Sequence, residues 1–236
     1  MLAVFGADYD AVRGHASADP ATDDMPLIMT AHSSQRLPSG ETALVVVGHF
    51  RRPAGEELLG DAAGAPVNLY LLRQQGSAWT VTRRHEGIAE SEGHGHGMEL
   101  RWVTLGRGIP GLAIERHWLG QGYVGAWLSL FDPASARPAD LTGQGIMIKS
   151  DNRDTCERAC WSGQASWRLV PGAGRYHDLV LSISGEASGA SADAEGNDEQ
   201  AAGELPPARS LAGTARYTFE QASYRLREGE NTLPSF

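Results

Sequence analysis

The chain has 236 residues and a formal net charge of −9, from 20 basic and 29 acidic side chains, with 41% hydrophobic and 21% charged residues. That length can bury a core without a metal or staple, and the composition is that of a folded chain, not a disordered one. An acidic surface repels phosphate backbones and anionic lipid heads, which argues against nucleic-acid binding, and no apolar run is long enough for a membrane span.

Phe5, Tyr9 and Val12 stand at i, i+4 and i+7, the spacing of one helical face, which predicts a short N-terminal helix. His15 to Met25, rich in Asp, Ala and Pro, reads as a linker. Residues 1–25 are therefore expected to precede a single all-β domain over 26–236. In that domain apolar runs alternate with Gly- and Pro-containing turns, which mark hairpins. Strands are predicted over Leu27–Ser34, Ala43–Phe50, Val67–Arg73, Trp79–Arg84, Leu100–Leu105 and Leu112–Trp118. Further strands follow over Tyr123–Phe131, Gly145–Lys149, Ser166–Val170, Tyr176–Gly185, Ala215–Phe219 and Ser223–Arg227. Short strands with local turns predict an antiparallel meander, either a β-sandwich or a propeller-like arrangement.

Between Glu186 and Glu204 the chain carries acids without a base, among them Asp193, Glu195, Asp198 and Glu199. It reads as a solvated acidic loop inserted in the β domain. Calcium is the alternative ligand for such acids, although the spacing is not that of an EF-hand. Cys156 and Cys160 are the only cysteines. A local disulfide is the leading reading, with free thiols and metal ligation behind it. A disulfide implies an oxidising compartment, so the protein is expected to be periplasmic or secreted. The opening Met1–Asp8 lacks the basic start and apolar run of a signal peptide. That leaves a mature exported form or a cytoplasmic protein.

Glu92-Gly93-His94-Gly95-His96 places two imidazoles and a carboxylate on one side of an extended segment, a set that suits zinc. His85 or His117 is a third ligand only if the fold brings it near, and the flanking glycines oppose a preorganised site. Two Gly-x-Gly-x-x-Gly matches, at Gly106–Gly111 and Gly120–Gly125, lack the strand-to-helix setting of a dinucleotide site and read as hairpin glycines. No Gly-x-Ser-x-Gly elbow occurs. In Tyr176-His177-Asp178 the His and Asp are strand neighbours that face opposite ways, which rules out a relay. Glu115 and His117 share a strand face and could line a binding surface. The six tryptophans are expected in the core. The exception is Trp161, beside Cys160, which reads as an exposed anchor for a partner.

Three phrases, Leu69–Arg73 with Trp79, Ser150-Asp151-Asn152, and Tyr176–Leu181, resemble segments of small bacterial cell-envelope proteins. Some of these are lipoproteins and some serve as immunity or inhibitor proteins. The resemblance implies export and protein binding and transfers no catalytic residue. The abundance of Ala and Gly, with Lys149 as the sole lysine, also suggests a GC-rich bacterial genome.

The resulting expectation is a non-enzymatic exported protein with a protein partner, such as a toxin or envelope enzyme. The contact is expected at Asp151, Asp154, Trp161 and the acidic loop. The alternatives are a metal-dependent hydrolase built on His94, His96 and Glu92, and a carbohydrate- or ligand-binding module using an aromatic sheet face.

Overall fold

A computed structural model describes residues 1–18, 27–50, 64–90, 97–157, 159–188 and 208–236. The chain opens with one turn of helix, α1 (Leu2–Phe5), and a 3-10 turn (Gly6–Asp8). There follow β1 (Tyr9–Asp10), β2 (His15–Ala18), β3 (Leu27–Arg36), β4 (Thr42–Phe50), β5 (Pro66–Gln75), β6 (Ala78–Glu90), β7 (Met98–Gly106) and β8 (Ile109–Gly120). The remainder is β9 (Tyr123–Phe131), β10 (Ile146–Asp151), β11 (Cys160–Val170), β12 (Asp178–Ser188), β13 (Arg209–Ser210), β14 (Gly213–Glu220) and β15 (Ser223–Gly229). The strands fall in two antiparallel sheets, of six and nine strands, so the fold is all-β with a short N-terminal helix. A propeller blade has four strands, and neither sheet has that size.

The expected helical face is corrected. Gly6 adopts φ 57 and ends the helix after one turn; Tyr9 lies in β1, and Val12 is 97% exposed in the turn beyond it. The expected linker is corrected in part as well, because His15–Ala18 pairs with β3, Ala16 opposite Met29.

Two compact units account for the chain: Met1–Arg116 with Leu130–Leu141, and His117–Ser129 with Thr142–Phe236. In the first, β1 to β6 form one sheet in chain order. Ala43, Val45 and Val47 of β4 and Val67, Leu69 and Leu71 of β5 meet Leu112 and Ile114 of β8 in one core. The opposite face packs Val46, Tyr70 and Leu72 with Met29 and with Val4 of α1. Both faces of β5 are thus covered, which explains why Leu69-Tyr70-Leu71-Leu72 is a continuous apolar run instead of an alternation. At the edge of this core Glu41, only 5% exposed, accepts hydrogen bonds from Thr82 (2.7 Å), Ser39 (3.0 Å) and Arg83 (3.2 Å). The Thr82 hydroxyl contributes most to holding its carboxyl below the usual glutamate range, against an opposing effect of burial.

In the second unit the strand order is β15-β14-β12-β11-β10-β9, with β13 a branch on β12. Alternation is clear on β12, where Leu179, Leu181 and Ile183 are buried as their spacing predicts. Asp178 opens that strand; it is buried and takes two hydrogen bonds from Arg216, at 3.0 and 2.7 Å.

Candidate functional site

The β10–β11 connection is organised around Asn152, which is 3% exposed. Its side chain donates to the Ala159 carbonyl (2.8 Å) and accepts from the Trp161 amide (2.7 Å). Its backbone carbonyl accepts from the Thr155 and Cys156 amides, both at 3.0 Å. Asparagine suits this position because its short amide satisfies a turn's orphan groups in both directions. Cys156 and Cys160 close the same turn with a disulfide, so of the three fates open to them in the sequence the disulfide holds.

Asp151 ends β10 and is already engaged. Arg153 approaches its carboxylate to 2.7 Å and Ser162 donates to it at 2.7 Å. Partial burial pushes Asp151 up, but the hydrogen bonds from Arg153 and Ser162 outweigh it and hold the carboxyl below the ordinary aspartate range. The more exposed carboxylates of the turn are Asp154 and Glu157. Against the turn sits the β8–β9 hairpin, whose two-residue loop has Gln121 at φ 52 and Gly122 at φ 81, a type I′ geometry. A Cβ on Gly122 would lie 2.5 Å from Thr155, so the two loops touch.

Trp161 is not the freely exposed anchor that its place beside Cys160 suggested. Its ring is half-buried and its indole N–H donates to Ser150 Oγ at 2.7 Å. It belongs to a patch of rings. Tyr123 lies 6.2 Å from Trp161, and Phe236 lies 5.2 Å from Tyr123, 5.4 Å from Trp118 and 6.0 Å from Trp127. Phe236 is 46% exposed.

The expectation that tryptophans fill the core is corrected in part: Trp102 packs against the core of the first unit, but none of the six is fully buried, and Trp79 is 42% exposed. A large ring with a polar N–H rarely vanishes into a core, and here Trp102 and Trp161 each give that N–H to a serine.

The remaining expected site residues divide simply. His94, His96 and Glu92, and the acids Asp193, Glu195, Asp198 and Glu199, lie outside the described residues. Among the described residues no group of three or more His, Cys, Asp or Glu side chains is placed to hold a metal ion. Glu115 is ion-paired with Arg101 at 3.0 Å across β7 and β8. Pro110 and Gly111 lie in β8, and the N-terminal glycines of the two Gly-x-Gly-x-x-Gly matches close hairpins, so neither match meets a helix. No helix among the described residues is long and apolar enough to cross a membrane.

Two hollows bear on the expected site residues and the exposed tryptophan. An apolar cleft of about 610 Å³ in the first unit is lined by Met1, Leu2, Leu44, Leu72 and Trp79, and no charged side chain lines it. A polar hollow of about 330 Å³ in the second unit is lined by Lys149, Asp151, Arg153, Ser162 and Gln164. In the polar hollow the Ser162 hydroxyl donates to the Asp151 carboxylate at 2.7 Å, and Arg153 pairs with the same carboxylate.

Sequence reasoning did not find Asn152, Tyr123 or Phe236 as members of one surface. Asn152 in a turn before two cysteines was a readable signal for a turn-organising amide, whereas the ring patch depends on strand register. No protein family, curated protein or solved structure matches this chain.

Proposed function

We propose that this is a non-enzymatic bacterial protein, exported to an oxidising compartment, which binds a protein partner at the cell envelope. A toxin-neutralising immunity or inhibitor role is the specific form of that reading. The observation that carries it is the turn from Asp151 to Trp161. It is braced by Asn152 and the disulfide, bears exposed carboxylates, and adjoins half-exposed aromatic rings. Preorganised loops beside aromatic anchors are how rigid β frames bind partners at low entropic cost. Complementarity between an acidic chain and a basic cleft would speed association and weaken with salt.

The test uses the full-length protein as bait in envelope extract, at low and high salt. A stoichiometric partner is expected that is lost at high salt, and lost at low salt from the double variant Asp154→Lys/Glu157→Lys. Capture unchanged by that variant refutes the assignment of the surface. The ring patch favours a second reading, carbohydrate binding. Under it, quenching of tryptophan fluorescence by glycans would replace protein capture, and the charge variant would have no effect.

A further inference from the structure

Across four strands of the second unit, cross-strand neighbours form a row with almost no side chains. Gly125 of β9 faces Ser150 of β10, Ser150 faces Gly163 of β11, and Gly163 faces Gly185 of β12. Glycine in a strand interior weakens the strand and marks a place where another chain comes close. The close approach is visible here. A Cβ on Gly163 would lie 2.6 Å from Leu233, and one on Gly125 would lie 2.8 Å from the Phe236 ring as well as 2.5 Å from Trp127. Between them, Ser150 Oγ donates to the Pro234 carbonyl at 2.6 Å. Gly185 has a different reason, since at φ 147 its Cβ would strike the Ser162 carbonyl.

The segment Leu233-Pro234-Ser235-Phe236 therefore runs across the strands, not along them. Gly163 to Gly125 spans two inter-strand steps, about 9.6 Å. Leu233 to Phe236 spans three extended residues, about 10 Å. The match sets a periodicity for whatever lies in this track. It wants an aliphatic side chain over Gly163, a carbonyl at Ser150, and an aromatic ring over Gly125 at the third position onward. The proline suits it, because proline favours an extended course and offers no N–H that the track would have to satisfy. Over the Leu233–Phe236 stretch the hydrogen bond to the sheet is that of Ser150 to Pro234; the residues before it are tied by Glu230 N–H to the Thr214 carbonyl (3.2 Å), Asn231 to the Met147 carbonyl (3.0 Å) and Thr232 Oγ1 to the Leu211 carbonyl (2.5 Å).

We infer that the Gly125–Ser150–Gly163 row is a recognition track for an extended peptide with an aliphatic residue followed, three positions on, by an aromatic one. In this chain Leu233–Phe236 occupies it in cis. The inference deepens the protein-binding reading and rests on it: a partner presenting such a segment would displace the resident one, and would be guided by the adjacent Trp161 and Tyr123.

The experiment uses the full-length Leu233→Asp variant, in which a carboxylate cannot remain over Gly163, and a synthetic heptapeptide with the sequence of residues 230–236. Binding is followed by tryptophan fluorescence and by amide shifts on β9–β11. Expected is saturable binding to the folded variant, at least ten-fold weaker binding to the wild-type chain, and at least ten-fold weaker binding of a peptide carrying alanine in place of Phe236. A folded variant that fails to bind the peptide at millimolar concentration overturns the inference. If the variant does not fold, hydrogen exchange on the wild-type chain decides. Amides of Leu233, Ser235 and Phe236 that open independently of β11 support a displaceable segment, and amides that open only with β11 make it a fixed part of the core and overturn the inference. The peptide assay does not depend on Asp154 or Glu157, so its failure is distinct from failure of the envelope-capture experiment.

Discussion

Two devices brace the Asp151–Trp161 turn, and their magnitudes predict which one shapes it. The disulfide joins residues four apart in sequence. Closing so small a loop removes chain entropy worth about 2 kcal/mol, near the bottom of the usual range. Asn152 makes two side-chain hydrogen bonds, at 2.8 and 2.7 Å, from a position that is 3% exposed. Removing them forfeits about 1 kcal/mol each and leaves the Trp161 amide and the Ala159 carbonyl short of partners, for a total of about 3–4 kcal/mol. Asn152→Ala is therefore expected to destabilise the second unit more than Cys156→Ser/Cys160→Ser. Urea unfolding gives the energies, and hydrogen exchange at the Thr155, Cys156 and Trp161 amides gives the local effect. Protection at those amides should survive loss of the disulfide and vanish in Asn152→Ala with the disulfide intact. The opposite order, protection lost on reduction and kept in Asn152→Ala, would show that the covalent bridge defines the turn and that the hydrogen-bond account is wrong.

Other outcomes follow from the same kind of reasoning. Glu41 is held below the usual glutamate range, first by Thr82 and then by Ser39 and Arg83. Its contribution is therefore present above about pH 4.3 and is lost as pH falls through the lowered folded value. Glu41→Gln should cost about 1–3 kcal/mol at pH 7, and the gap to wild type in thermal melts should close toward pH 3; a gap independent of pH contradicts this. Asp178→Ala should lower the urea midpoint, and adding Arg216→Ala should lower it little further, because the two side chains serve one pair; additive losses would show that they act separately. Gln121 sits at φ 52 in a type I′ turn, where asparagine is favoured. Gln121→Asn should raise stability by about 0.5–1 kcal/mol, and a lower melting temperature would count against that reading of the hairpin.

The strands were legible because their boundaries are written in local chemistry. Each predicted segment overlaps an observed strand, and Tyr123–Phe131 matches β9 end to end. Gly145, Tyr176 and His177 fall outside, because β10 begins at Ile146 and β12 at Asp178, so His177 and Asp178 are not neighbours within a strand as expected. Where the reading fell short, pairing rather than composition decided. β6 runs on to Glu90 because it pairs back to Pro66, and β11 starts at Cys160 because Trp161 pairs with Ala187. β1, β2 and β13 have two to four residues each, too few for an alternation to register. Their strand character comes from a neighbour, as when Ala16 faces Met29.

The site shows the same division more sharply. The cysteines announce the turn by spacing alone, and the expectation of a local disulfide needed nothing else. Gly125 and Gly163, by contrast, are 38 residues apart in sequence and become neighbours of Ser150 only once the registers of β9, β10 and β11 are fixed. One of those registers carries a bulge between Met147 and Lys149, which no local pattern foretells. Gly125 itself is readable as the last glycine of a discarded nucleotide motif. A strand and not a helix follows that motif. Yet the glycine has a reason beyond the hairpin: it lies under the ring of Phe236, where a β-carbon would not fit. A glycine inside a strand, away from any turn, is thus the one sequence signal that points toward the track. It becomes a site only when the sheet lines it up with a second glycine and a serine that can hold a carbonyl.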